Sequence, residues 1–342
     1  MELSKSDTAS IKGVAILLML WHHLFLNATG YGVLTHSVAV FAKVCVALFL
    51  FVSGYGLTKQ YDGLARHTAK DTIKLLGRRY VNFFLQYWFC FILVVLVGNI
   101  CGYSFSDAYP PTRNTLKCFI LDGFGQMGYN SYLKPWWFNK MIIQLYLVFP
   151  ILLLIICNKY TACIGLFAII PLQLFAKSIP GNIFFLIEGG LPAFYLGMVS
   201  ARYRIIPPIR QKAWKIVLTS IFVLLTIGLI VLHHYVVTKD AYQAILIRAL
   251  IALCFVCAYK SLEGCHTPLP GFIGKYATIM YFTHVLFLIL IPRIIYWPRY
   301  SILVFILFVI ICLSAAMMID RLKMITHFDN LRLTIVNQIN QW

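Results

Sequence analysis

Charged residues are scarce in this chain. They make up 12% of its 342 residues, about half the share of about 25% that is typical of soluble domains, and only 11 of them are Asp or Glu. Hydrophobic residues reach 61%, and the mean hydropathy is +0.82. This composition excludes a soluble globular protein. It predicts an all-α polytopic integral membrane protein that is surrounded by a lipid bilayer.

Other features are missing as well. No CxxC pair indicates a zinc site, and most of the ten cysteines fall inside apolar stretches, so we expect no metal site. No segment between the apolar stretches is long enough for a soluble domain. There is also no internal repeat of the kind that builds many transporters. Residues 1–342 are therefore predicted to form a single transmembrane domain.

Apolar stretches of about 20 residues predict the membrane spans. About ten such stretches occur, and we expect them to surround a central cavity. The first is too long for a signal peptide and leads directly into the second, so it is predicted to stay in the protein. The centres lie near residues 20, 46, 90, 146, 168, 191, 226, 250, 286 and 309.

The distribution of Lys and Arg predicts the orientation. If the N-terminus is inside, 18 of the 29 basic residues fall on the inner side and seven on the outer, so both termini are expected to be cytoplasmic. Basic inner loops are retained by anionic lipid headgroups, and they can also attract a phosphate-bearing ligand. Because these residues are spread over several short loops, nucleic acid is not an expected partner.

The first span carries the strongest indication of chemistry. Lys12 and His23 are eleven residues apart, about three helical turns, so they share one stripe about 16 Å apart, whereas His22 lies about 80° off it. Ionisable groups inside a span are costly and mark function more often than elsewhere. A cation near one interface and an imidazole deeper in suit an anionic ligand at one end and proton transfer at the other. Without His23, Lys12 would be interpreted as an interfacial anchor.

Further polar side chains fall within predicted spans: Lys43, Lys140, Glu188, Arg248 and His284. Glu188 opens the sequence EGGLP, which loosens a helix and frees backbone groups that need water or protein nearby, as in a cavity. The alternatives are structural. Glu188 and Arg248 could form an ion pair between neighbouring helices, and His284 could be a core histidine bonded to a nearby carbonyl.

Four segments, in order, resemble the membrane-bound acyltransferase-3 family, which includes sugar and polysaccharide O-acetyltransferases. KGVAILLMLWHH resembles its opening signature, with Lys12 at a position where Arg is frequent. ALFLFVSGYGL, WFNKMIIQLYLVFP and IGKYATIMYFTH resemble its later motifs. The four occupy residues 12–23, 47–57, 137–150 and 273–284. One departure follows Arg78 and Arg79, where many relatives have a proline and this chain has VNFFLQYW.

The resemblance implies an acyltransferase that moves an acyl group, expected to be acetyl, from cytoplasmic acyl-CoA to a hydroxyl of a saccharide or cell-surface glycan outside a bacterial inner or plasma membrane. His23 is then the catalytic residue, either as general base and acid or as a covalent acyl acceptor. Lys12, Arg78 and Arg79 are expected to bind the CoA phosphates. The expected substrate or cavity residues are Trp137, Lys140, Tyr146, Glu188, Arg248 and His284.

Two other functions fit the same polar residues. A proton-coupled carrier or polysaccharide exporter would use Glu188, Arg248 and His284 without any acyl transfer. A membrane scaffold would leave the Lys12–His23 stripe unexplained. The long outer loop, residues 102–133, is interpreted as a lid or acceptor-side platform, with an ordinary surface loop as the alternative.

Overall fold

The computed structural model describes residues 2–109, 113–175, 190–205, 212–237, 241–262 and 268–341. Within these ranges the regular secondary structure is helical, and no strand occurs. Eight of the helical segments there are long and apolar enough to cross a membrane. The predicted all-α, multi-pass membrane architecture is therefore confirmed.

Fifteen α-helices are found in the described ranges. They are α1 (Lys5–Phe25), α2 (Gly32–Phe41), α3 (Val44–Asp62), α4 (Ala69–Ile100), α5 (Phe105–Ala108), α6 (Thr115–Gly123), α7 (Trp137–Ile155), α8 (Lys159–Phe175), α9 (Leu191–Tyr203), α10 (Lys212–Val237), α11 (Ala241–Ser261), α12 (Pro268–Leu290), α13 (Pro292–Ile295), α14 (Ser301–Ile325) and α15 (Phe328–Gln341). Short 3₁₀ turns cover Gly128–Asn130 and Lys134–Trp136.

Eight of the ten predicted spans correspond to these long apolar segments. The second of them contains two helices, because the chain bends at Ala42 and Lys43 between α2 and α3. The fifth and sixth predicted spans correspond to the shorter helices α8 and α9. Residues 176–189, which join α8 to α9 and include Glu188, lie outside the described residues.

The chain divides into two compact units. Unit 1 comprises Met1–Gly63 and Leu147–Lys275, and unit 2 comprises Leu64–Tyr146 and Tyr276–Trp342. In unit 1, α3 packs directly on the backbone of α9. A β-carbon added at Gly54 would collide with the carbonyl oxygen of Phe194, and one added at Gly197 would collide with that of Phe51. The glycine of the SGY motif is therefore required by this close approach.

In unit 2, aromatic side chains fill the core. Trp136 is fully buried, and its indole N–H donates to the carbonyl oxygen of Phe282 at 3.2 Å. The C-terminal helix α15 packs on α4, where the rings of Phe89 and Phe328 lie 4.6 Å apart. Burial of such large rings is a major stabilising contribution to a helical core.

The described part of the predicted outer loop contains α5, α6 and the 3₁₀ turn Gly128–Asn130. Helix α6 buries Cys118 and Asp122 on one side and leaves Leu116 and Ile120 65% and 50% exposed on the other. An amphipathic helix of this kind is typical of a membrane interface. Whether the segment is a lid or a platform stays a prediction.

Candidate active site

Helix α1 begins at a capping box. The Ser4 hydroxyl accepts a hydrogen bond from the Asp7 N–H at 3.0 Å, and the Asp7 carboxylate accepts one from the Ser4 N–H at 2.8 Å. This pairing satisfies N–H groups that would otherwise lack acceptors at the helix start. The helix then continues without a break to Phe25, so Lys12 and His23 lie on one continuous helix, about 16 Å apart along its axis.

The two adjacent histidines of α1 have different surroundings. His22 is buried, and its Nδ1 lies 2.7 Å from the carbonyl oxygen of Ala39 in α2. That nitrogen donates a proton to the carbonyl, so His22 fastens α1 to α2. His23 is only partly buried, and its ring centroid lies 5.1 Å from that of His22. His23 is therefore the more exposed imidazole of the pair.

Lys12 lies where α1 and the start of α12 approach most closely. A β-carbon at Gly13 would collide with the carbonyl oxygen of Pro270, and one at Gly274 would collide with that of Ala9. Gly274 belongs to the IGKY segment singled out in the sequence. Its role is to let the two helix backbones come into contact. This contact fixes the position of the part of α1 that carries Lys12. The Lys12 side chain is partly buried and interacts with neighbouring groups of the protein.

A buried ion pair holds the same end of α1. The Lys260 ammonium of α11 lies 2.9 Å from the Asp7 carboxylate, and both side chains are less than 10% exposed. The Leu3 N–H also donates to the Tyr55 hydroxyl at 2.9 Å. Sequence reasoning missed the ion pair because its members are 253 residues apart. The available signal was a Lys and an Asp, each near the end of an apolar stretch.

At the other end of unit 1, Arg248 bonds to a histidine that the sequence analysis did not select. The Arg248 Nε donates to Nε2 of His233, in α10, at 2.9 Å. Arg248 is 8% exposed and His233 is 1% exposed. The expected pairing of Arg248 with Glu188 stays a prediction, since Glu188 lies outside the described residues.

In unit 2, one arginine of α4 contacts an aromatic residue predicted for the site. The Arg79 guanidinium lies 5.9 Å from the ring centroid of Tyr146, a cation–π distance. Tyr80 packs edge-on against the same ring, and its hydroxyl donates to the carbonyl oxygen of Ile143 at 2.8 Å. Arg78 is partly buried and makes interactions of its own.

The remaining predicted residues of unit 2 are spread along α7 and α12. Trp137 stacks on Tyr129 with centroids 5.4 Å apart, and Lys140 is partly buried. His284 is fully buried, and its Nδ1 lies 2.9 Å from the carbonyl oxygen of Tyr281 in its own helix. That contact is the one expected of a core histidine.

An acidic residue of the outer loop also escaped the sequence analysis. Asp122 is fully buried, and one carboxylate oxygen accepts from the Tyr132 N–H at 2.6 Å and the Tyr109 hydroxyl at 3.1 Å. Burial raises the pKa of Asp122 to about 6, although the hydrogen bond from Tyr132 acts in the opposite direction. This carboxyl holds the loop together.

The comparison with protein families decides the class. A family model described as an acyltransferase domain matches residues 10–321. The chain belongs to the acyltransferase-3 family. The protein is therefore a membrane acyltransferase, and all four motif segments lie within the matched range. Searches of curated proteins and of solved structures gave no significant match.

For an acyltransferase, the described residues offer two groups of suitable side chains. Unit 1 carries Lys12 and His23 on α1, and Arg248 with His233. Unit 2 carries Arg79 against Tyr146. Within unit 1, Lys12 supplies a cation and His23 a partly exposed imidazole, the two kinds of group that the sequence analysis expected in the site.

Proposed function

We propose that this acyltransferase moves an acetyl group from cytoplasmic acyl-CoA to a hydroxyl of a saccharide on the outer side of a bacterial plasma membrane. The observation that carries the proposal is the position of Lys12 and His23 on one unbroken helix of an acyltransferase-3 chain, each with exposed surface. The excess of basic residues on one side supports a cytoplasmic location for both termini.

The proposed role of Lys12 is to bind a CoA phosphate. An ammonium forms strong charge-assisted hydrogen bonds with phosphate oxygens. The separation of about 16 Å from Lys12 to His23 is comparable to the length of an extended pantetheine arm, on the order of 15–20 Å. A phosphate at Lys12 would thus leave the thioester near His23. Arg78 and Arg79 stay, on the sequence alone, further candidates for binding phosphate.

The proposed role of His23 is proton transfer. The imidazole takes the proton from the saccharide hydroxyl, whose oxygen attacks the thioester carbonyl carbon. The tetrahedral intermediate collapses with cleavage of the carbon–sulfur bond, and the imidazolium returns the proton to the departing thiolate. The products are the O-acyl saccharide and free CoA. A positioned general base of this kind contributes about 10²–10⁴ in rate.

A covalent variant uses the same residue. His23 attacks the thioester first, the carbon–sulfur bond breaks, and the imidazole N–H proton passes to the departing CoA thiolate. The saccharide hydroxyl then takes the acyl group from the imidazole, and its proton returns to the imidazole nitrogen. The two variants differ in whether acyl-enzyme forms before the acceptor is added. Single-turnover mixing of labelled acetyl-CoA with enzyme, without saccharide, separates them: label retained on the protein indicates the covalent variant.

The proposed function is tested in proteoliposomes of the full chain, with labelled acetyl-CoA on one side and cell-surface glycans on the other. We expect label to appear in the glycan and free CoA to appear in equal amount. Movement of unmodified glycan without consumption of acetyl-CoA would contradict the proposal and favour a carrier.

A further inference from the structure

A buried arginine lies at the end of unit 1 opposite the Asp7–Lys260 ion pair. The Arg248 Nε donates to Nε2 of His233, so that nitrogen carries a lone pair and the imidazole is neutral. The contact orients the guanidinium, but a neutral imidazole brings no negative charge to it. None of the ion pairs found among the described residues involves Arg248.

The surroundings of this arginine are apolar. Val44, Ile247 and Ile251 form a buried cluster beside it, and the ring of Phe41 lies 6.2 Å from that of His233, edge-on. A charge in such surroundings is expensive unless an opposite charge accompanies it. An arginine kept here therefore indicates that an anion binds during the protein's working cycle.

A second cation lies next to the same cluster in the chain. Lys43 directly precedes Val44, and its side chain is exposed. Leu18 of α1 packs against the cluster. The cluster therefore contacts the C-terminal half of α1, the half that carries His22 and His23.

We propose that Arg248 and Lys43 bind a carboxylate or phosphate group carried by the acceptor saccharide, with His233 as the residue that positions Arg248. With Nε committed to His233, the two terminal NH₂ groups of the guanidinium form a fork that matches the two oxygens of such a group. The acceptor class is then an acidic saccharide. This inference rests on the proposed function for its substrate.

The location agrees with this assignment. Asp7 and Lys260 pair at one end of α1 and α11, whereas Arg248 lies about 18 Å before Lys260 along α11, beside the cluster that packs on Leu18 of α1. Lys12, proposed for the donor phosphate, is at the first end. Donor and acceptor anions would thus be held at opposite ends of α1, with His23 beside the acceptor anion.

The test uses the purified full-length protein in phosphatidylcholine vesicles, with three acceptors: methyl glucoside, methyl glucuronide and glucose 6-phosphate. In thermal unfolding we expect both anionic sugars to stabilise the protein and methyl glucoside not to. In labelled acetyl transfer we expect KM for the anionic sugars to be about ten- to a hundredfold lower than for the neutral one, as a charge-assisted contact provides.

Variants isolate the arginine and its partner. Arg248→Gln should remove the preference for anionic sugars, so that KM becomes similar for all three acceptors. Arg248→Lys should retain part of the preference. Arg293→Gln, which removes an exposed basic residue of α13, should retain all of the preference and serves as the control. His233→Leu should weaken the preference and His233→Gln, which keeps an acceptor for Nε, should restore it.

Several outcomes would overturn the inference. If acetyl transfer occurs with equal KM values for neutral and anionic sugars, the proposed function holds, but Arg248 and Lys43 do not form an anion site. If the anionic sugars stabilise the protein but no acceptor receives an acetyl group, the anion site holds and the proposed function is wrong. If inorganic phosphate stabilises as well as the sugars do, or if phosphatidylglycerol in the vesicles abolishes the effect, the ligand is a free anion or a lipid headgroup. If anions bind to the Glu188→Gln variant and not to the wild type, the Glu188 carboxylate occupies the site in the wild type, and the inference is wrong.

Discussion

The Lys260 ammonium and the Asp7 carboxylate lie 2.9 Å apart, and both are buried in unit 1. The contact joins the end of α11 to the first turn of α1, the helix that carries Lys12 and His23. Both charged groups are buried away from solvent, so each is stabilised by the opposite charge of the other. The position of α1 relative to α11 is therefore fixed by an electrostatic contact.

Breaking one side of this pair should destabilise the protein strongly. Asp7→Asn keeps the side-chain shape and an acceptor for the Ser4 N–H but removes the negative charge that lies 2.9 Å from the buried ammonium, at a cost of about 3–5 kcal/mol in the free energy of unfolding. Denaturant unfolding in detergent measures the change.

The control for this prediction is the double variant Asp7→Asn/Lys260→Met, which removes both charges. It should recover much of the lost stability, because no unpaired charge remains. If the double variant loses as much free energy of unfolding as the two single variants combined, the two side chains do not act as a pair.

Gly274→Ala should disturb the crossing of α1 and α12. The added methyl group meets the backbone carbonyl of Ala9, which cannot turn aside as a flexible side chain could, so the helices must separate. We expect the free energy of unfolding to fall by about 1–3 kcal/mol and acyl transfer to be reduced.

The matched control is Gly228→Ala in α10, where the added carbon meets no atom within 4 Å. There alanine should be neutral or stabilising by up to about 1 kcal/mol. Equal effects at the two sites would contradict the account of the crossing.

The outer loop should become less stable as the pH rises. The pKa of Asp122 is about 6 in the folded loop, above the ordinary value near 4, so the folded state holds the proton more tightly. The extra stability is fully present below about pH 4 and is lost as the pH rises through about 6, with a limit on the order of 3 kcal/mol. Hydrogen exchange at the Tyr132 amide, corrected for the intrinsic rate at each pH, measures it. Asp122→Asn should abolish the dependence, and protection that increases with pH would refute it.

Lys12→Gln should raise KM for acyl-CoA by about tenfold while kcat at saturation changes less than about threefold, since the proposed contact is with a non-reacting phosphate. Lys12→Arg should keep a low KM, because a guanidinium also binds phosphate. Initial rates over a range of acyl-CoA concentrations give both constants. A fall in kcat with unchanged KM would remove Lys12 from the donor site.

Much of α1 was predictable from the sequence, because helical periodicity depends on spacing alone. The spacing separated His23 from His22, and the structure places His22 against the Ala39 carbonyl while His23 keeps exposed surface. The apolar stretches likewise predicted the long helices. The bend at Ala42 and Lys43 was not predicted, since the whole segment Gly32–Asp62 is apolar and hydropathy alone does not reveal a break.

Partners distant in sequence were not predictable. Lys260 could have paired with any acidic residue at its end of the bundle, and only the packing of α11 against α1 selects Asp7. One alternative from the sequence paired Arg248 with Glu188, which lies outside the described residues, and nothing in the sequence indicated the hydrogen bond from Arg248 to His233. The burial of Asp122 also depends on how the loop aromatics pack. These contacts follow from tertiary structure, which one sequence does not reveal.

The central claim is that His23, and not its neighbour, performs the chemistry. The most direct measurement is the rate of label transfer from acetyl-CoA to glycan in proteoliposomes, for the wild type, His23→Asn and His22→Asn. Asparagine at residue 22 keeps a donor for the Ala39 carbonyl, so that variant should retain most of the rate, whereas His23→Asn should lose about 10²–10⁴-fold with acyl-CoA binding preserved. Equal rates for His23→Asn and wild type, or loss confined to His22→Asn, would contradict the account.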